Sequence, residues 1–319
     1  MSRTALIIGT GLGGLLCGQI LSRKGLSVTL LEADEVPGGI LHGFTWEGVN
    51  CDRGFHSVGG LAPGQPLEKI FRPLGLGLTD LPWYRATDDE GLGFLRLNQR
   101  SEFELEHILA PFRGSTWRLE GGGNTLVRAL AKGLDIHCGK KVVSIENQTL
   151  TCEDGSTYSA DVIISDLHPV RTMELVKDHV RPSYTHRLQK LQNGPDIFAV
   201  HCLLERNCVP WQSGAIFLED RLMIHFDEPG TQVLELLCFG EGDPEEMIAL
   251  ATKRLPGLKV QKYHTMLCPG YGIIKESNAD FVSAATPLPW LFLTGQNLGL
   301  HGILGTSISA LNTCKLISL

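Results

Sequence analysis

The sequence predicts an α/β fold, in which a Rossmann-like, mostly parallel sheet accompanies a second α+β unit on a mostly antiparallel sheet. Three observations lead to this prediction. The chain opens with a strand, a glycine-rich turn, a helix and a second strand. It ends with a buried strand, spaced glycines and a further helix. In residues 169–279, several short apolar runs accompany one clear helix, which is typical of an antiparallel sheet packed against a helix.

The first of these segments has the order of a dinucleotide-binding unit. An apolar strand leads into a turn that fits G-x-G-x-x-G through Gly9, Gly11 and Gly14. A helix follows, and a second apolar strand ends in Glu32, 18 residues after Gly14. The glycines let backbone N–H groups approach a pyrophosphate at the positive end of the helix. An acid at this distance can accept hydrogen bonds from the ribose hydroxyls of an adenosine.

Composition excludes several classes of function. The formal net charge of −7 over 319 residues, without a basic run interleaved with aromatics, argues against a nucleic-acid partner. The nine cysteines are odd in number and form no C-x-x-C pair. We therefore expect reduced thiols, no metal centre and no disulfide framework.

Two apolar stretches raise the question of a membrane. The first follows Met1-Ser2-Arg3 as in a signal peptide, but the glycine motif occupies it, so we expect a cytoplasmic protein. The second, residues 281–314, contains no Asp, Glu, Lys or Arg but is broken by Pro287 and Pro289. We expect it to form buried protein interior. A peripheral membrane contact is left open, because apolar substrates often reside in lipid.

Two further segments follow the second strand. The loop containing Gly38-Gly39 could bring the backbone close to a second phosphate. After it, residues 44–51 are predicted to form a hairpin with its turn at Glu47-Gly48. The hairpin leads into Asp52-Arg53-Gly54-Phe55-His56, a D-x-G-x-H string.

The motifs together resemble those of a known family. G-x-G-x-x-G, LLEA, GG, D-x-G-x-H and the final LFLTGQNLGLHGILGTSISA resemble the flavin amine oxidase-like superfamily, and within it most the phytoene desaturase and retinol saturase branch. The resemblance implies an FAD cofactor and a glutathione reductase-type FAD-binding domain made of residues 1–62, 114–168 and 280–319. Residues 63–113 and 169–279 would then form the substrate domain, a shortened one for this branch.

The resemblance also implies individual contacts. Glu32 would pair with the adenine ribose, the backbone of Val143 would bracket the adenine, and His56 and His301 would lie nearest the flavin ring. The implied cofactor-binding residues are Gly9, Gly11, Leu12, Gly13, Gly14, Glu32, Ala33, Gly38, Gly39, Ile40, His56, Val143, Gly295, Gln296, Asn297, Gly302 and Ile303.

The expected reaction is hydride transfer between flavin and an apolar, isoprenoid or lipid-like substrate, as desaturation or saturation of a C–C bond. His56 and His301 are the candidate catalytic residues, and either could donate a hydrogen bond to flavin or shuttle a proton. Three more histidines, His201, His225 and His264, lie singly in predicted strands. We interpret them as solvated or hydrogen-bonded side chains, not as metal ligands.

Other functions fit the same residues. A flavin amine oxidase-like enzyme is one alternative, and a non-catalytic lipid-binding protein on the same fold, like the Rab-escort and GDP-dissociation-inhibitor relatives, is another. An NAD-dependent dehydrogenase is a third, although the flavin-like carboxy-terminal segment argues against it. The sequence leaves the substrate, the direction of the reaction, the electron acceptor and the oligomeric state open.

Overall fold

The computed structural model describes residues 3–54, 56–86, 115–176, 179–218, 221–227, 230, 232–268, 270, 272–274, 281–299 and 301–317. Much of the predicted 63–113 segment therefore lies outside the described residues.

The described strands are β1 (Thr4–Ile8), β2 (Ser27–Leu31), β3 (Phe44–Trp46), β4 (Val49–Cys51), β5 (Val58–Gly59), β6 (Trp83–Arg85), β7 (Thr116–Leu119), β8 (Asp135–His137), β9 (Val142–Glu146), β10 (Thr149–Cys152), β11 (Thr157–Ser159), β12 (Val162–Ser165), β13 (Ile197–Leu204), β14 (Ile216–Leu218), β15 (Leu222–Phe226), β16 (Val233–Phe239), β17 (Val260–Cys268) and β18 (Leu291–Leu293). The described α-helices are α1 (Leu12–Arg23), α2 (Pro66–Phe71), α3 (Gly122–Ala131), α4 (Pro169–Leu175), α5 (Pro182–Gln189), α6 (Pro244–Arg254) and α7 (Gly302–Leu316).

A five-stranded parallel sheet of order β18-β12-β1-β2-β8 confirms the predicted Rossmann-like unit. Alternate residues of β1 lie in two different hydrophobic cores, Ala5 and Ile7 in one, Leu6 and Ile8 in the other. Because both faces of this strand are buried, its sequence is a continuous apolar run and does not alternate. Helices α1 and α7 cover one face, so the two ends of the chain lie side by side.

The turn between β1 and α1 depends on glycine. A Cβ added to Gly14 would lie 2.1 Å from the carbonyl oxygen of Gly9, closer than any real Cβ contact. Gly9 itself has φ +93°, which side chains rarely adopt. The tight turn places the N-terminus of α1, capped by Gly11, beside the carboxyl end of β1. In open parallel sheets, ligands bind at this edge.

A five-stranded antiparallel sheet of order β14-β15-β16-β13-β17 confirms the second part of the fold prediction. Helix α6 covers one face through Met247 and Ala251. Its N-cap is Asp243, whose carboxylate accepts the backbone N–H of Glu246. The opposite face carries Ile197 and Met223 and is turned toward the site described below.

Smaller elements complete the described structure. The predicted hairpin is present as β3 and β4, with its turn at Glu47 (φ 49°) and Gly48 (φ 78°). The three-stranded sheet β5-β7-β6 and the helices α4 and α5 lie in segments without a definite prediction from the sequence. Within the described residues, no helix has both the length and the apolar character needed to cross a membrane.

Candidate functional site

A cavity of about 220 Å³ lies beside the glycine turn and brings distant parts of the chain together. Its wall on the antiparallel sheet consists of Ile197 and Met223, and Asp166 follows the end of β12. Nine of the residues expected to contact a cofactor line it: Gly11, Leu12, Gly13, Ile40, His56, Gln296, Asn297, Gly302 and Ile303.

Four glycines from three parts of the chain form one side of the site, which we call the glycine cradle: Gly11, Gly13, Gly39 and Gly295. A Cβ on Gly13 would lie 3.0 Å from the Cα of Gly295, and a Cβ on Gly39 would lie 3.5 Å from the Cα of Gly11. The backbones therefore approach one another closely. This close approach leaves no room for a side chain at Gly13, whose backbone lines the cavity.

Glu32 ties the glycine turn to the loop that follows β2. Its buried carboxylate accepts the backbone N–H of Thr10 at 2.9 Å and that of Asp34 at 3.1 Å, and it also accepts the Thr10 hydroxyl. The Thr10 hydroxyl oxygen in turn accepts the N–H of Gly38 at 3.1 Å. Glu32 thus has a structural role in addition to the ribose contact that the sequence predicts, and Ala33 follows it at the same strand end.

Asp166 lies against the glycine cradle, and sequence reasoning missed it. A Cβ on Gly11, Gly13 or Gly295 would collide with its carboxylate oxygens, which also accept the backbone N–H of Gly14. Burial raises the pKa of Asp166 to about 7. The charge of Glu32 adds to this rise in pKa, and the hydrogen bond from Gly14 opposes it. The signal was present in the sequence, because Asp166 directly follows a predicted buried strand.

The far wall of the cavity carries a second polar group, which we call the His56 cluster: His56, Arg118, His201, His225 and Glu235. In the register of the antiparallel sheet, Glu235 on β16 lies directly opposite His201 on β13 and His225 on β15. All three side chains are buried at 1% exposure. They share the face of the sheet that carries Ile197 and Met223, because side chains alternate between faces.

His56 approaches Glu235 and His225 from the side of the cavity. Its Nε2 lies 2.7 Å from Oε2 of Glu235, and its ring meets that of His225 edge-on with centroids 4.8 Å apart. Arg118 on β7 donates to the carbonyl oxygens of Phe226 and Ser213 and lies within hydrogen-bond distance of Nε2 of His225. A carboxylate, an imidazole and a guanidinium are thus held together out of water.

Burial and neighbouring charges set the ionisation of the cluster. Burial raises the pKa of Glu235, but His56, His201 and Arg118 outweigh burial and hold it below its usual range. Burial lowers the pKa of His56, but the Glu235 carboxylate reverses this, so that the net shift is upward. The pKa values of His201 and His225 are lowered, mainly by burial. The cluster therefore contains a charged His56–Glu235 pair beside neutral imidazoles.

The three strand histidines lie in two environments. His264 is exposed, whereas His201 and His225 are buried, and His225 lies within hydrogen-bond distance of Arg118. The sequence contained a signal, since β13, β15 and β16 are apolar runs that each carry one ionisable residue on the same face. Glu235 and Arg118 were missed, because strand register is needed to bring them beside His56.

The donor types of His56, His225 and Glu235 are those of a metal site. Two observations argue against that interpretation. The Glu235 carboxylate already pairs with His56, and the guanidinium of Arg118 places a positive charge at Nε2 of His225. We therefore interpret the group as a charged hydrogen-bond cluster.

His301 and Val143 are among the predicted residues that lie outside the cavity lining. His301 is buried at the N-cap of α7, and a Cβ on Gly272 would lie 2.8 Å from its Cβ. Val143 lies on β9 with 44% of its side chain exposed. Of the two candidate catalytic histidines, the geometry therefore favours His56.

Comparison with known families decides the class. Residues 7–74 match the model of an NAD(P)-binding Rossmann-like domain, and residues 78–252, more than half of the chain, match that of the flavin-containing amine oxidoreductases. The chain belongs to the flavin-containing amine oxidoreductase family. This membership confirms the predicted superfamily, the FAD cofactor and the oxidoreductase class.

Relatives of this flavoprotein include two curated enzymes. It is 34% identical over 79 residues to an all-trans-retinol 13,14-reductase of Danio rerio, covering 25% of this chain and 13% of that protein. It is also 34% identical over 86 residues to polyamine oxidase 4 of Oryza sativa subsp. japonica, covering 26% of this chain and 16% of that protein. The matched segments thus span less than a fifth of the length of either relative.

A solved structure matches the whole flavoprotein. The CLA-producing fatty acid isomerase of P. acnes superposes with a TM-score of 0.69 at 13% identity, covering 100% of this chain and 99% of that one. At this identity the likeness establishes the fold alone.

The residues of the site fit an FAD pyrophosphate. The carboxylate of Asp166 accepts the Gly14 N–H at the N-terminus of α1, so this position already holds an anionic group in the structure. The glycine cradle leaves room for a backbone-bound ligand beside it. A phosphate at this helix end would come close to the Asp166 carboxylate, and two anions there repel each other.

Replacing Asp166 with asparagine is therefore expected to tighten FAD binding by about tenfold at pH 8, because the substitution removes the charge but keeps the shape. At pH 5.5, where the raised pKa leaves wild-type Asp166 mostly protonated, the difference should largely vanish. Quenching of FAD fluorescence on binding to apoprotein measures both affinities. Asp161→Asn, an exposed change near the opposite end of the same strand, is the control. Equal affinities of Asp166→Asn and wild type at pH 8 would refute the repulsion.

Proposed function

We propose that this flavoprotein transfers hydride between FAD and an apolar, isoprenoid or lipid-like molecule, in desaturation or saturation of a C–C bond. The observation that carries the proposal is the cavity that joins the glycine cradle to the apolar face of the antiparallel sheet. One wall consists of backbone suited to a dinucleotide, and the other presents Ile197 and Met223.

The proposed cofactor contacts follow from this arrangement. The N–H groups at the start of α1 would bind the pyrophosphate, Glu32 the adenine ribose, and the N-terminus of α7 at Gly302 and Ile303 the flavin. Positive charge at that helix end stabilises the negative charge of a reduced flavin. When bound, FAD supplies the two-electron chemistry. His56, at the cavity wall, would donate a hydrogen bond or a proton.

The charge of the wall bears on the class of substrate. The His56–Glu235 pair and Arg118 together carry one net positive charge at the wall opposite the glycine cradle, against which the Asp166 carboxylate lies. A cationic polyamine would be repelled there, whereas an uncharged isoprenoid would be tolerated. The retinol reductase of zebrafish supports the isoprenoid class, and the polyamine oxidase of rice keeps amine oxidation as the second candidate.

An anaerobic titration separates these functions. Purified holoprotein is mixed with a retinol or with spermine, and dithionite-reduced holoprotein is mixed with the same retinoid. We expect the retinoid to bleach the oxidised flavin or to restore the colour of the reduced one, and spermine to do neither. Bleaching by spermine alone would establish the amine alternative. A retinoid that binds without any change of flavin redox state would indicate a non-catalytic lipid-binding protein.

Three further proposals accompany this function. We propose that residues 1–62, 114–168 and 280–319 form the FAD-binding domain and that residues 63–113 and 169–279 form the substrate domain.

We also propose a cytoplasmic protein that contacts membranes peripherally to reach its substrate. The exposed Leu267 and Phe281 are candidates for such a contact. Co-sedimentation with phosphatidylcholine vesicles tests it, and a Leu267→Ser, Phe281→Ser double variant should sediment less.

A further inference from the structure

The His56–Glu235 pair has a geometry that a purely structural ion pair does not need. His56 lines the cavity, whereas Glu235 lies behind it with 2% of its side chain exposed. The two are joined by one short contact, Nε2 to Oε2 at 2.7 Å. The His56 imidazole thus faces the cavity, whereas the Glu235 carboxylate is shielded from water by the antiparallel sheet.

The other residues of the His56 cluster surround the Glu235 carboxylate but do not replace His56 as its hydrogen-bond donor. Nε2 of His201 and Nδ1 of His225 each lie 3.7 Å from a Glu235 oxygen, beyond hydrogen-bond distance. Arg118 is engaged with two backbone carbonyls and with His225. Among the described residues, the Glu235 carboxylate therefore accepts its hydrogen bond from His56, and Arg118 acts on the carboxylate through its charge.

We propose that Glu235 is the positioning residue of this site, holding the His56 imidazole protonated and oriented at the cavity wall. This inference rests on the proposed function in one respect, the assignment of the cavity to flavin and substrate. A buried carboxylate that orients an imidazole and stabilises its charged form is a recurrent arrangement in catalysis. Glu235 itself does not line the cavity and acts through His56.

The ionisable groups around His56 come from several elements. Glu235 and Asp52 favour the charged imidazole, Arg118 opposes it, and His201 and His225 are close neighbours. Because the net effect raises the pKa of His56, the pair stabilises the fold fully below pH 6.5, and this contribution is lost as pH rises through the raised value. Because the pKa of Glu235 is lowered, its contribution is lost only as pH falls through that lowered value.

The decisive experiment is a pH titration of the full chain labelled with ¹⁵N-histidine, followed by long-range ¹H–¹⁵N spectra. His56→Asn identifies the His56 signals. We expect wild-type His56 to titrate above 6.5. In Glu235→Gln we expect its midpoint to fall by one pH unit or more, a tenfold change in the protonation equilibrium. Glu235→Asp, which keeps the charge, should recover part of the shift. Glu47→Gln, at the exposed acid that pairs with Lys262, should leave the midpoint unchanged.

Two outcomes would overturn the proposal. One is a wild-type His56 that titrates at or below 6.5, a result that needs no variant to fold. The other is a Glu235→Gln variant with native histidine spectra and an unshifted midpoint. Neither readout requires flavin. A protein that binds no FAD would therefore refute the proposed function, while the titration of its His56 would still decide the role of Glu235. The reduction potential of bound FAD, plotted against pH, should change slope at a pH that moves with the titration midpoint of His56.

Discussion

Replacing Gly14 with alanine is expected to weaken FAD binding by about 100-fold or more. The added Cβ would lie 2.1 Å from the carbonyl oxygen of Gly9, an atom of the backbone that cannot rotate away. Relieving the collision would displace the turn whose N–H groups we propose to bind the pyrophosphate of FAD. Overpacking of this kind costs about 1–3 kcal/mol in stability, and the displaced turn loses its phosphate contacts as well.

The effect on binding must be separated from the effect on folding. Calorimetric titration of apoprotein with FAD gives the affinity, and circular dichroism shows whether the variant is folded. Ser22→Ala is the matched control, since it adds no clash on the exposed side of the same helix. Gly11→Ala should be milder than Gly14→Ala, because its Cβ meets the end of the Asp166 side chain, which can rotate. A folded Gly14→Ala protein with wild-type affinity would disprove this account of the turn.

Replacing Glu32 with alanine is expected to lower FAD affinity on the order of 100-fold and to destabilise the fold by about 1–3 kcal/mol. The loss of stability arises because the buried N–H of Thr10 loses its acceptor. The loss of affinity arises because the proposed ribose contact is lost and because the Thr10 hydroxyl, which accepts the Gly38 N–H, no longer has the Glu32 carboxylate to donate to. Glu32→Gln, which keeps one carbonyl oxygen as acceptor, should lie between alanine and wild type in both respects.

Thermal unfolding with and without added FAD measures both quantities on the same sample. Glu35→Ala, at an exposed position three residues further along, is the control and should change neither. If Glu32→Ala protein is less stable but binds FAD as tightly as wild type, the ribose contact is wrong and the residue is purely structural.

The parts of the fold that could be predicted were those encoded locally. The strand β1 is a continuous apolar run because both of its faces are buried, and the glycine turn after it is fixed by the collision that a Cβ on Gly14 would cause. The order of these elements was enough to predict the parallel sheet. Strands β5 and β6 have only two and three residues, too few for a pattern of alternation to show.

The candidate site was predictable on its cofactor side and missed on its opposite wall. Glycines and Glu32 belong to one contiguous motif, whereas Arg118 on β7 and Glu235 on β16 lie 117 positions apart and in two different sheets. Single charges in apolar strands are a detectable signal, but which of them face one another depends on register. Asp166 was detectable by position, since the carboxyl ends of parallel strands meet at one edge.

We propose that this chain carries FAD in the cavity between the glycine cradle and the antiparallel sheet. A visible spectrum of the freshly purified protein, with mass analysis of the cofactor released on denaturation, tests it most directly. We predict a yellow protein that releases FAD in near one-to-one ratio and bleaches on anaerobic reduction. Colourless protein that takes up no added FAD, or that releases a nicotinamide dinucleotide instead, would contradict the account.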